Sequence, residues 1–422
     1  MSICGEKFTE ESSLYMRFSP KPGLFFRFGS QVYELAAFKV ELCDTSYCSF
    51  FFNGKMIDGS YANKKMLDSS FELDWLPRSQ PQVFGKGMQQ KTSCAAIFHL
   101  FNFPDFETQH RNHDSGYDFI LLESDEWIIE ILRLPKEQTK EAWKKIRETE
   151  GAFLTHTVRL KRKDGNAFSG EDAKEQKLLL EIFLAFVSGG RCSLICGVGF
   201  AVDGQKTWQT VDSPLVRKAI LYWFTQDSRQ DKNQAELLFP LFAKRWSQSK
   251  EWQDCLHTII YWYVQANTAG DGVGIDAALI LAQAGLERLA HHYLVVDRKM
   301  VSDKGFNDLR ASDRLRMLFT ACGIPNEITK ATPGISQANN LFKKESTKWV
   351  DLPHATTDIR NSLVHPVSKK NVDGCYSDAW QVSLWYLELS ILAVCGYEGS
   401  YTNRITAKYA THSEPVPWVN KA

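Results

Sequence analysis

Hydrophobic and polar positions follow two different rhythms along this chain. In the first half they alternate, or run as short apolar stretches broken by Gly, Pro and Asn: "LYMRFSPKPGLFFRFG", "QVYELAAFKVELC", "YCSFFFNGK" and "FLTHTVRLKRKDG". That rhythm predicts strands in an antiparallel or mixed sheet. One helix interrupts them, over Gly170–Val187, with Leu178, Leu179, Ile182, Phe183 and Phe186 at helical spacing and Ser169 as its cap. "GGRCSLICGVGFAVDGQKTW" reads as a hairpin turning at Asp203-Gly204. From about Asp212 the period lengthens, and "LVRKAILYWFTQ", "QAELLFPLFAKRW", "DCLHTIIYWYVQAN", "IDAALILAQAGLERLAHHYLV", "NDLRASDRLRMLFTACG", "QANNLFKKESTKWV" and "YSDAWQVSLWYLELSILAVCG" all read as helices. The last carries Trp380, Leu384, Leu387, Ile391 and Val394 as a stripe, with Gly396 as its stop. The expected fold is α+β: a β-rich N-terminal domain over 1–230, with room for two subdomains, then an all-helical domain over 231–422, the seam lying between 212 and 250.

Composition narrows the function classes. The chain has 422 residues, 44% hydrophobic and 13% aromatic, enough for a sizeable core. Lys+Arg and Asp+Glu balance at 50 each, so no broad surface for nucleic acid or membrane is advertised. Any polyanion must be held by a local cluster of base. No leader pattern opens the sequence, no apolar run reaches a membrane span, and the ten cysteines are scattered without a Cys-x-x-Cys pair. These features predict a cytoplasmic chain with reduced, buried thiols.

The candidate chemistry lies in "TTDIRNSLVHPVSKKN". A helix entering near Pro353 should leave near His365, because Pro366 disfavours helical geometry in the residue before it. An imidazole at a frayed helix end reaches solvent and feels the negative end of the helix dipole. Arg360 precedes it by about a turn and a half, with Asn361 next to it and Lys369 and Lys370 beyond. Phosphodiester cleavage needs such parts. A 2′-hydroxyl loses a proton as it attacks phosphorus, the leaving 5′-oxygen gains one, and the phosphorane between carries extra charge. His serves either proton transfer, and Arg serves the charge. The bland alternative is a helix-capping His beside an unrelated Arg.

The Arg-Asn-x3-His arrangement resembles the signature of the HEPN superfamily of helical bundles, and "IDAALILAQAGLERLA", "DIRNSLVHP" and "LWYLELSILAVCGYEGSYTNR", within roughly residues 250–408, are similar to its ApeA-like group. That resemblance implies a HEPN-type bundle acting as an endoribonuclease without metal or cofactor, as a homodimer or higher oligomer with paired motifs facing each other. It implies products with 2′,3′-cyclic phosphate and 5′-hydroxyl ends, and a toxin-like role in antiviral defence by abortive infection, set off by a phage-derived trigger. Arg360 would stabilise the phosphate, His365 would handle the proton and Asn361 would position one of them. Some members of that superfamily only bind RNA or a partner protein, and this stands as the alternative. The balance of 17 Lys/Arg against 18 Asp/Glu in 251–422 favours it, since it steers RNA little.

Glu287 sits in the apolar "AQAGLERLA" and needs a cation. Either it pairs locally, with Arg288 for instance, or it pairs with Arg360 and sets the fork's orientation. Tyr401 and Arg404 either line an RNA groove or tie the C-terminal tail to the bundle. "CGVGFAVDG" lacks the spacing of a dinucleotide loop. His110, His113 and Asp114 could begin a metal site, but without a second half they read as a polar loop, and "RLKRKDG" reads as a solvated strand end. The β-rich half carries no catalytic constellation and is expected to act as a sensor.

Overall fold

The structure, a computed structural model, describes the strands named below within the first 81 residues. From residue 82 it describes the chain except 107–109, 111–117, 150, 213, 217–222, 225–233, 269–273, 343–347, 366–371, 373, 409–411 and 420–422. The fold is α+β, antiparallel sheet first and helices after. Two compact units share the chain by turns: 1–103, 126–177 and 192–216 form one, and 104–125, 178–191 and 217–422 form the other.

The first unit holds two sheets. One is built from β1 (Ser2–Ile3), β2 (Glu6–Lys7), β3 (Ser12–Arg17), β4 (Gly23–Phe28), β5 (Tyr47–Phe52), β6 (Lys55–Leu67) and β7 (Ser70–Pro77), in the order β2-β1-β5-β6-β7-β4-β3 with antiparallel neighbours. The strand expected in "QVYELAAFKVELC" lies outside the described residues. The second sheet contains β8 (Gln82–Phe84) and β9 (Ala95–Phe101). After β10 (Phe119–Glu123), which belongs to the other unit, it takes in β11 (Trp127–Arg133), β12 (Leu154–Arg162), β13 (Ser193–Phe200) and β14 (Lys206–Val211). Within the first unit these run β11-β12-β9-β13-β14-β8, all antiparallel. Alternation has its expected consequence: Phe98 and Leu100, Ile129 and Ile131, and Val158 and Leu160 are buried at every second position.

The glycines of "CGVGFAVDG" serve packing. A Cβ on Gly197 would run into the Phe98 ring, and one on Gly199 into the Trp208 indole, whose Nε1 donates to Ser93 Oγ at 3.0 Å. The hairpin turns at Asp203-Gly204, as the dipeptide predicts. Helix α1 (Lys136–Thr149) is an element the periodicity did not suggest: it is mostly charged and buries little beyond Ala142 and Ile146. Helix α2 (Gly170–Ser188) begins in this unit and ends in the other. Ser169 caps it by accepting from Asp172 N at 3.1 Å, while Asp172 accepts from Ser169 N at 2.8 Å, a reciprocal pair that satisfies both ends.

The second unit is helical: α3 (Gln234–Ser247), α4 (Lys250–Asn267), α5 (Gly274–His291) with a π-helical turn over His292–Asp297, α6 (Asp303–Asp308), α7 (Ala311–Cys322), α8 (Pro333–Leu341), α9 (Leu352–Val364) and α10 (Tyr376–Cys395). A short ribbon follows, β15 (Ser400–Tyr401) on β16 (Glu414–Pro415). The helix expected over "QANNLFKKESTKWV" ends at Leu341, and Trp349 lies outside any helix. Helix α10 is not the one-sided element its stripe suggested. It packs against α3, α4, α5, α7, α8 and α9, and it is buried all round, including Ser383, Glu388 and Ser390 at 0% exposure. A helix apolar on every side belongs at the centre of a bundle. Gly396 ends it at φ 76, a left-handed cap. Among the described residues no helix is long and apolar enough to cross a membrane.

Candidate active site

Helix α9 carries the Arg-Asn-x3-His stretch. Its N-terminus is built firmly: Asp351 accepts from His354 N at 2.9 Å, Pro353 sits in the first turn, and Arg316 Nη2 donates to Asp351 Oδ1 at 3.1 Å. Its other end stops where Pro366 requires. His365 turns extended, at φ −121 and ψ 101, while its N–H still donates to Asn361 O at 2.8 Å. The His365 ring is exposed, and among the described residues it makes no hydrogen bond.

The buried face of α9, including Ala355, Thr356 and Ile359, turns Arg360 toward α5. There Gln283 and Glu287 stand one turn apart on a shared face. Arg360 Nε donates to Gln283 Oε1 at 3.3 Å, Nη2 donates to a Glu287 oxygen, and Nη1 donates to Asn361 Oδ1 at 3.1 Å. Glu287 is also approached by Arg314 Nη1 of α7 at 3.6 Å. Arg314 is itself fixed by Phe306 O at 3.0 Å and Asn307 O at 2.9 Å. Glu287 therefore lies between two guanidinium groups, and the trio keeps a net positive charge. The three side chains remain 20–25% exposed. Arg360 has five N–H bonds and among the described residues spends three of them, which leaves two for a ligand. Gln283 Nε2 is buried without a partner among the described residues, and the amide cannot be turned over because Arg360 Nε can only donate. Leaving that donor unpaired costs about 1–3 kcal/mol, a cost carried in holding the guanidinium in place.

The structure thus brings Glu287, Arg360 and Asn361 together and leaves His365 at the open end of the same helix, about 7–8 Å further along its axis. Lys369 and Lys370 lie outside the described residues. Tyr401 and Arg404 do not line an RNA groove. Tyr401 is 0% exposed, its hydroxyl accepting from Trp385 Nε1 at 3.1 Å and donating to Glu414 Oε1 at 3.1 Å. Burial pushes its phenol above the usual range. Arg404 is 3% exposed and pairs with the wholly buried Glu388, and it also donates to Asn267 Oδ1 at 3.2 Å. Both tie the tail to the bundle, where a phosphate cannot reach. Gln283, Arg314 and Tyr376, whose hydroxyl lies 3.5 Å from Ser362 Oγ, were not picked out from the sequence. Gln283 could have been found from its place four residues before Glu287.

Of the proposed polar loop, His110 lies 3.4 Å from Glu236 Oε1, while His113 and Asp114 are outside the described residues. Among the described residues no group of His, Cys, Asp and Glu is arranged to hold a metal ion.

Comparison with known families bears on this same segment. Residues 249–415 match the model of the YopA C-terminal domain. Residues 88–221 match the YopA central domain. The chain is also similar to the SPbeta prophage-derived uncharacterized protein YopA of Bacillus subtilis (strain 168), 26% identical over 299 residues. That alignment takes in 69% of this chain and 64% of the Bacillus YopA protein, so less than two thirds of the relative is spanned. No solved structure matches. These findings correct the resemblance to the ApeA-like HEPN group. The family models found over the segment that carried it are those of YopA, and what that resemblance implied about activity and dimerisation loses its support. What remains is the geometry around Arg360.

Proposed function

We propose that the helical unit cleaves RNA at the Arg360–His365 end of α9, by attack of a 2′-hydroxyl on the adjacent phosphorus. One observation carries the reading. Arg360 is pre-oriented by three protein acceptors and shares its helix with an exposed imidazole, and among the described residues two of its N–H bonds and that imidazole have no partner. The 2′-oxygen to phosphorus bond forms as the bond to the 5′-oxygen breaks. His365 takes the 2′ proton or delivers one to the leaving oxygen, and Arg360 holds the phosphorane's charge. One imidazole performs one of these transfers at a time, so a second copy of the chain is the natural source of the other. Glu287 and Asn361 position the fork. The prophage origin of the Bacillus relative fits a role in conflict between phage and host.

The test is cleavage of a defined RNA in EDTA by the purified chain, with product ends mapped. Arg360→Ala and His365→Ala are each expected to lower the rate by about a hundredfold or more. Unchanged cleavage in both would refute the reading. A second reading, binding of RNA or of a partner protein without cleavage, is favoured by the charge pairing of Arg360 with Glu287. It predicts a mobility shift with RNA, or a captured partner, that is lost in Arg360→Ala, with the wild type leaving RNA intact.

A further inference from the structure

A cavity of about 420 Å³ opens in the helical unit, away from Arg360. Leu352, at the start of α9, lines it, and His365 ends that helix about 20 Å away along the axis. Its volume is in the range of small-molecule sites. One side is apolar, formed by Leu352 with Val382 and Trp385 of α10. Two carboxylates, Glu327 and Glu414, lie in the lining, which among the described residues contains no Lys, Arg or His.

Glu414 is held as an acceptor by neutral groups alone. Tyr401 Oη and Asn403 Nδ2 donate to its Oε1 at 3.1 and 2.7 Å, and Thr406 Oγ1 reaches Oε2 at 3.5 Å. Trp385 Nε1 donates to Tyr401 Oη, so the indole that walls the cavity also fixes the carboxylate's partner. Among the described residues neither Glu327 nor Glu414 has an ion-pair partner, whereas Glu287 and Glu388 of the same unit are each paired with arginine. A half-buried carboxylate beside apolar walls, positioned by dipoles and not neutralised, favours a cation from outside and repels an anion.

We propose that this cavity binds a small organic cation: an ammonium carried on an apolar or aromatic body. The ammonium sits at Glu414, with Glu327 at the exposed rim adding attraction. The body lies against Trp385, Val382 and Leu352. This site is independent of the RNA chemistry proposed above.

Three probes of matched shape test it on the full chain by calorimetry at neutral pH: phenethylamine, 2-phenylethanol and 3-phenylpropanoate. The amine is expected to bind at least about tenfold more tightly than the alcohol, and the acid more weakly than either. Glu414→Gln keeps an amide oxygen for Tyr401 and Asn403, and it should remove the amine's advantage while leaving the alcohol unchanged. Glu327→Gln, at an exposed position, should reduce the advantage without affecting folding. Equal binding of amine and acid, no binding of the amine up to about 10 mM, or an amine preference that survives both substitutions would overturn the proposal.

Discussion

The sharpest consequence for stability lies at Arg404. Its guanidinium meets both oxygens of Glu388, with Nε at 3.0 Å from Oε2, and also reaches Asn267 Oδ1 and Gln381 Oε1 at 3.2 Å. Tyr263 Oη donates to Glu388 Oε1 at 2.6 Å, and burial, then the Glu388 charge, holds that phenol protonated well above its usual range. Glu388 is 0% exposed on the central helix, so removing its cation strands a charge in the core. Arg404→Ala should therefore cost about 3–5 kcal/mol at pH 7. At about 2–4 °C per kcal/mol for a unit of this size, thermal unfolding should fall by roughly 6–20 °C. Replacing both partners by apolar residues, Glu388→Leu with Arg404→Met, should cost less than Arg404→Ala alone. A loss under about 1 kcal/mol for Arg404→Ala, or strict additivity in the double-mutant cycle, would refute the argument.

Three further expectations follow from burial and pairing. His156 is fully buried in the first unit, and burial, then the nearby Arg133 charge, lowers its pKa to about 3. The unfolded chain takes up its proton below about 6.5 and the folded one does not, so stability should fall by about 1.4 kcal/mol per pH unit from there toward 3; denaturant titrations of His156→Phe should show a shallower fall. The thiols of Cys255, Cys322 and Cys395 are pushed up to about 12 by burial, so alkylation at pH 8 should spare them in the folded chain and label them after unfolding, as read by mass spectrometry. Ser169→Ala should cost about 0.5–2 kcal/mol by removing the α2 cap, and Ser169→Asp should recover most of it in the same unfolding assay.

Much of the fold was legible because its signals are local. Alternation located β3, β4, β5, β12, β13 and β14 but not β6, β7, β9 or β11, Pro353 and Pro366 bracketed α9, and the need of Glu287 for a cation left Arg360 as one of two kinds of partner, the one the structure shows. The same reasoning, applied to Glu388 in the apolar "YLELS", would have foretold a buried base, but it gives no way to choose Arg404 as the partner. Arg404 stood between lining an RNA groove and tying the tail to the bundle, and the sequence does not name Glu388 as what it ties to. Helix α1 escaped notice because its charged residues leave too sparse an apolar face to register as a period. The stripe on α10 was real, but burial on its other sides comes from six neighbouring helices, which no window of sequence contains.

Residues 178–191 have a practical bearing on how the helical unit is handled. Phe183 stacks edge-on to Phe239 at 5.0 Å, Phe186 to Tyr263 at 5.8 Å, and Asn267 Nδ2 donates to Gly189 O at 2.8 Å while its Oδ1 receives Arg404. A clone begun at residue 249, where the C-terminal family match starts, would omit this plug and leave aromatic surface bare. Insolubility of such a truncation would say nothing about the chemistry at Arg360. Expression trials are better designed to keep the upstream segment, either on the same polypeptide or supplied in trans.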